Sequence, residues 1–242
     1  MDIDEANRRG RVRRRDSRTT NVVATLKRYE PTWRMQWVTE KLNLIDRLPE
    51  GVKMDQYASQ MLIVGCILKA MAAELWPAKS KERQRFVQLL IDYTPSMLGA
   101  KTISVPLLSG YLSGRGWIAE AEAMAARYAA ANKRGRMLGI DVDMTEYELV
   151  SLYPNVPKAT IRQFSYASLL FDEISLRAPS FTAERSWNAD APSTEISYLK
   201  KSENADWSIH FGTDWSRALV VCAEELSRPI SPNKAFDDWW LR

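Results

Sequence analysis

Several groupings of side chains in this 242-residue chain have the types and spacing that chemistry needs. Asp141, Asp143 and Glu146 place three carboxylates on one short stretch, the donor type a hard cation takes. The stretch lacks the further oxygen ligands and the glycine of a calcium loop, and acids just ahead of Thr145 read more simply as a helix start favoured by the dipole. Asp172 and Glu173, with Glu184 farther on, form a second acidic group, and a solvated helix face explains the first two. His210, the single imidazole, lies between Ile209 and Phe211, which places it in a strand or a buried turn. One imidazole does not build a metal site unaided. Cys66 and Cys222 sit in apolar helical settings with no CxxC spacing and no nearby histidine, so both read as small core residues with reduced thiols. The glycines of SGYLSGRGW lack the lysine and the strand-to-helix context of a phosphate loop, and there is neither a zinc pattern nor a nucleophile elbow. No metal and no cofactor is expected.

The arginines are the remaining chemical signal. The formal charge is +4 and the pI about 9.0, and much of the excess lies in Arg8, Arg9, Arg11, Arg13, Arg14, Arg15 and Arg18. Residues 1–30 are polar and without periodicity, which predicts a flexible arm. It is either a solubilising tail or an arm that contacts nucleic acid, since neutralising phosphates releases counterions without a folded reader. Arg177 ends an apolar helical run just before Pro179, where it can cap the helix end or touch a phosphate.

The elements that position these residues are helical. With 45% hydrophobic residues the chain can bury a sizeable core. Trp33, Trp37, Leu44, Ile45 and Leu48 form a first stripe. Asp55 to Trp76 is apolar on nearly every face, which predicts a rod in the middle of a bundle. Ser80 is placed to cap a third helix carrying Phe86, Leu89, Leu90 and Tyr93. Ser104 caps a fourth, with Pro106 in its first turn. The Ala-rich segment after Gly116 is a fifth, with Gly135 as its stop, and MTEYELVSL a short sixth. ATIRQFSYASLLFDEISLR reads as one run through Ile161, Phe164, Leu169, Phe171 and Ile174, ended ahead of Pro179. EISYLKK and DWSIHFG alternate as a small hairpin near residues 195–211. A last helix, capped at Thr213 or Asp214, buries Trp215, Leu219, Cys222 and Leu226. The fold class is therefore mainly α, a multi-helix bundle with a small β-hairpin. The expected organisation is an arm over 1–30, a helical domain over 31–228 and a tail over 229–242 that packs back on it through Phe236, Trp239 and Trp240. No stretch reaches the length of a membrane span, and the N-terminus lacks the apolar segment of a secretory signal, so a cytoplasmic location is expected.

The blocks ERQRFVQLLIDYTP, TISVPLL, FSYASLLFDEISLRAPSFT, ISYL and IHFGTDWSRALVVCAEEL, in that order over residues 55–228, resemble HEPN-like helical proteins of prokaryotic defence and toxin systems. In that family an aromatic-rich helix leads to an arginine followed four to six residues later by a histidine, a pair associated with metal-independent RNA cleavage across a dimer. The resemblance puts Arg177 on the arginine and Thr182 on the histidine. A threonine hydroxyl does not titrate near neutral pH, so Thr182 cannot move the proton that an imidazole would. Glu184 is within reach in sequence, although a carboxylate beside an RNA phosphate meets charge repulsion. The resemblance thus implies a degenerate, non-catalytic HEPN-like protein that binds RNA or a protein partner, as a homodimer, with Arg177 and the Arg8–Arg18 cluster on phosphate. Two alternatives stay open. One is a metal-independent ribonuclease built on Arg177 with Glu184, Glu173 or His210. The other is a structural or regulatory module that uses Trp239 and Trp240 in a protein interface.

Overall fold

The computed structural model describes residues 36–41, 43–44, 53–77, 81–129, 137–138, 140–177, 196–199, 206–227 and 239. A first helix, α1, covers 36–41 and 43–44; it buries Val38, and of the predicted stripe it half-buries Trp37 and leaves Leu44 exposed, while Trp33, Ile45 and Leu48 lie outside the described residues. Then come α2 (Lys53–Leu75), α3 (Glu82–Tyr93), α4 (Val105–Gly114), α5 (Ile118–Ala129), α6 (Glu146–Leu152), α7 (Lys158–Arg162), α8 (Tyr166–Arg177) and α9 (Thr213–Ser227). The strands are β1 (Met137–Leu138), β2 (Ser197–Leu199) and β3 (Ser208–His210). The chain is a mainly helical bundle with the hairpin where the alternation placed it. β1 extends that hairpin to an antiparallel sheet in the order β1-β2-β3, with Tyr198 opposite Ile209 and Met137 opposite Leu199.

Among the described residues, two apolar clusters form the core. The larger packs α2, α3, α8 and α9 against the sheet through Leu68, Phe86, Leu90, Leu170, Trp215 and Leu219. The smaller joins α4, α5 and α6 through Leu108, Leu112, Met124 and Leu149. Ser104 caps α4 as expected, its hydroxyl oxygen accepting from Leu107 N–H at 3.4 Å. The cap residue of α3 is Lys81, which makes no side-chain cap bond, in place of the predicted Ser80.

α2 is less enclosed than its composition implies. Met61, Val64, Ile67, Leu68, Met71 and Ala72 are buried, but Cys66, Ala70 and Glu74 recur at four-residue steps along an exposed line. Cys66 is therefore an exposed thiol and not a core residue, while Cys222 is buried and its thiol is pushed up to about 12 by burial and by Glu225. Gly65 lets α2 pack close against α8, because a Cβ built there would lie 2.4 Å from Cγ2 of Ile174. That methyl branches directly from Cβ and has no flexible stem with which to yield. Gly65→Ala should therefore destabilise by about 1–3 kcal/mol despite alanine's better helix propensity. Urea unfolding checks this, and an unchanged or raised midpoint would show that the helices can separate without loss.

The predicted single run over 159–177 is broken. Residues 163–165 turn out between α7 and α8 because their backbone is used elsewhere: Ser104 N–H donates to Phe164 O at 2.9 Å, and Ile103 bridges both Met144 and Ser165. Tyr166 N–H and Ala167 N–H then donate to Thr102 O and Ala100 O. The connector ahead of α4 is thereby threaded between two other connectors, and this junction positions the site.

Candidate functional site

The junction turns Asp143 inward. Thr145 takes the N-cap of α6 itself, in a reciprocal capping box with Glu148, so Asp143 is not needed there. The carboxylate points instead at the start of α4, where Oδ1 accepts from Val105 N–H at 3.0 Å. Oδ2 accepts from the hydroxyls of Tyr166, at the start of α8, and Tyr198, in the middle of β2, each at 2.5 Å. One carboxylate thus fastens a loop, two helix starts and the sheet. Burial raises its carboxyl to about 6 in spite of these three hydrogen bonds, and Asp141 nearby adds to the rise. Burial and the Asp143 charge likewise push both tyrosines well above the ordinary phenol value, so they remain hydroxyl donors.

A second buried group lies on the neighbouring elements. Arg162, the last residue of α7 and only 6% exposed, makes a two-pronged ion pair with Glu146, the first residue of α6, with Nε to Oε2 at 3.0 Å and Nη2 to Oε1 at 2.8 Å. The indole of Trp239 covers the guanidinium, with 5.1 Å between its ring centre and Cζ, and the Lys101 ammonium stands 5.7 Å from the same ring. Trp239 also donates its backbone N–H to Oε1 of Gln88, a buried residue of α3, at 3.4 Å.

The Asp141, Asp143 and Glu146 cluster does not converge. Asp141 is exposed, Asp143 is bonded to three donors and Glu146 is committed to Arg162. Among the described residues no group of three or more metal-ligating side chains comes together. Asp172 is half-buried and paired with Arg83 at 2.8 Å, so it is not on a freely solvated face. His210 ends β3 opposite Ser197 and is half-buried. Arg177 is the last residue of α8; its side chain lies outside the described residues, as do Thr182, Glu184 and the seven arginines from Arg8 to Arg18. Sequence reasoning missed Tyr166, Tyr198, Arg162 and Lys101. The one available signal was polar residues set among apolar ones in SYASLL and ATIRQF, which periodicity alone treats as helix faces. Among the described residues no helix is long and apolar enough to cross a membrane. Set against protein-family models, curated proteins and solved structures, the chain matches none.

Proposed function

We propose that the protein is a non-catalytic helical binding protein whose arginine-rich N-terminal segment contacts RNA. The observation that carries this reading is the segregation of charge. Residues 1–35 hold ten of the 34 Lys and Arg and five of the 30 Asp and Glu, a net of +5, which leaves −1 on the remaining chain. A near-neutral folded body joined to a concentrated block of guanidinium groups suits contact with a polyanion, and arginine forks match phosphate geometry.

The absence of chemistry in this reading is supported by how Asp143 is used. A general acid or base has to reach a substrate proton. Asp143, whose carboxyl is poised near neutrality, accepts three hydrogen bonds from the elements it holds together. The HEPN-like resemblance agrees, because Thr182 stands where a proton-shuttling histidine is expected. A defence or toxin setting and a homodimer belong to the same proposal and rest on that resemblance alone.

Fluorescence anisotropy with a labelled single-stranded RNA tests it. Seven arginines on seven phosphates give a log–log salt slope of about −5, a loss on the order of 10²–10³-fold between about 50 and 200 mM salt. Changing all seven to alanine in the full chain should flatten the slope to about −1. Salt-insensitive binding, or binding undiminished in that variant, would defeat the proposal.

A further inference from the structure

The Trp239 contact has the form of an occupied site, and its parts come from different places in the chain. Gln88 on α3, Lys101 ahead of α4 and Arg162 at the end of α7 belong to the bundle. The indole comes from beyond α9, which ends at Ser227. Glu146 holds the guanidinium flat and neutralises its charge, so Arg162 offers a rigid planar face better suited to stacking than to phosphate capture. The exposed Lys101 adds a second cation against the same indole, its ammonium 5.7 Å from the ring centre, and no ion pair to it is formed among the described residues. Polar groups of α3 accompany it: Gln88 Oε1 accepts the backbone N–H of Trp239, and one turn earlier on the same helix the amide Nε2 of Gln84 is buried without a hydrogen-bond partner among the described residues.

A guanidinium plane, a flanking lysine and side-chain amides are what hold an unpaired base: the plane takes the ring, the ammonium takes the phosphate, and the amides meet the base edge. The indole has the size and the π-face of a purine. Resting on the proposal that RNA is the ligand, we propose that Arg162, Lys101 and Gln88 form a nucleobase-stacking site that Trp239 fills in the free protein, so that the C-terminal segment competes with single-stranded RNA. The arginine-rich segment then supplies salt-sensitive affinity and this site supplies base contact, available only when the indole leaves.

The test titrates fluorescein-labelled oligoadenylate into the full chain at about 0.3 M salt, where electrostatic contacts of the N-terminal segment are largely screened. Trp239→Ala removes the competitor and should tighten binding about tenfold, since cation–π attraction of this kind sets the fraction of chains whose site is closed. Lys101→Ala added to that variant should reverse several-fold of the gain. A merely structural tail predicts no tightening; Trp239→Ala that binds no better than the wild type, or that is indifferent to Lys101→Ala, overturns the inference. Circular dichroism verifies that Trp239→Ala is folded. If it is not, Trp239→Leu, which keeps an apolar side chain there without the π-face, takes its place: tighter binding than the wild type supports the site and no tightening removes it. Failure of the wild type to bind at about 50 mM salt would instead defeat the arginine-rich segment as the RNA contact, so the two outcomes stay distinct.

Discussion

Replacing Asp143 with alanine should destabilise the protein by about 3–5 kcal/mol at about pH 5, and by less at about pH 8. The loss arises because Val105 N–H and the hydroxyls of Tyr166 and Tyr198 are left without their shared acceptor in a buried place. An unmade hydrogen bond of a buried group costs about 1–3 kcal/mol, and tyrosine hydroxyls can partly re-aim. The pH dependence follows from the raised carboxyl. Asp143 binds its proton near 6 when folded and near 3.8 otherwise, so as pH falls through about 6 the folded protein takes up a proton that the unfolded chain does not yet hold. Folding therefore strengthens on acidification from about pH 7 to about pH 4 and levels off below, by about 3 kcal/mol for a two-unit difference.

Asp172 acts in the same direction, because burial raises it against the pull of Arg83, but its partial exposure makes the effect small. Glu148 acts oppositely, lowered by its hydrogen bonds with Thr145, and it lies at the surface. The net expectation is a urea midpoint that rises between about pH 8 and pH 5 in the wild type and stays flat in Asp143→Ala. Asp143→Asn, which keeps the shape and an acceptor for Val105 while its amide donates to the tyrosine oxygens, should be flat as well and less destabilised. A wild type that loses stability over the same range would mean that the three hydrogen bonds outweigh burial.

Glu146→Ala is the second large effect, about 3–5 kcal/mol, because it strands the Arg162 guanidinium at 6% exposure. Replacing the pair together, Glu146→Leu with Arg162→Met, should recover most of that loss, since well-packed apolar side chains avoid the desolvation that the ions carry. Thermal unfolding of the two variants and the wild type measures the difference. If the double variant is no better than Glu146→Ala, the pair does more than satisfy its own burial.

How far the sequence foretold these features depends on the range of the interaction that fixes each one. Ser104 as a cap, Pro106 in a first turn, and Trp215, Leu219, Cys222 and Leu226 on one face are local rules, and the structure obeys them. The break at 163–165 is not local. FSYASLL carries a helical pattern, and only the backbone of residues 102–104, some sixty positions earlier, diverts it. The exposure of Cys66 escaped for a related reason: a helix that is apolar all round does not state which line its neighbours leave uncovered. Asp143 resembled a helix-start acid because the competing cap, Thr145 with Glu148, shows its primacy only once both bonds are seen. Its partner Tyr198 lies 55 residues away, and Trp239 lies 151 residues from the Gln88 that it touches. Such separations leave no periodic trace, so the site's chemistry was hidden while its scaffold was not. The sequence-derived candidates Thr182, Glu184 and the Arg8–Arg18 cluster lie outside the described residues, as does the Arg177 side chain.

Whether the protein binds RNA without cutting it is read most directly by incubating the full chain with end-labelled RNA in chelator and resolving the products on a denaturing gel, in parallel with retention of the same RNA on a filter. Intact RNA that is retained at low salt and released at high salt is the expected result. Discrete cleavage products that disappear with Arg177→Ala would contradict it, and would place a working proton-transfer group beside that arginine.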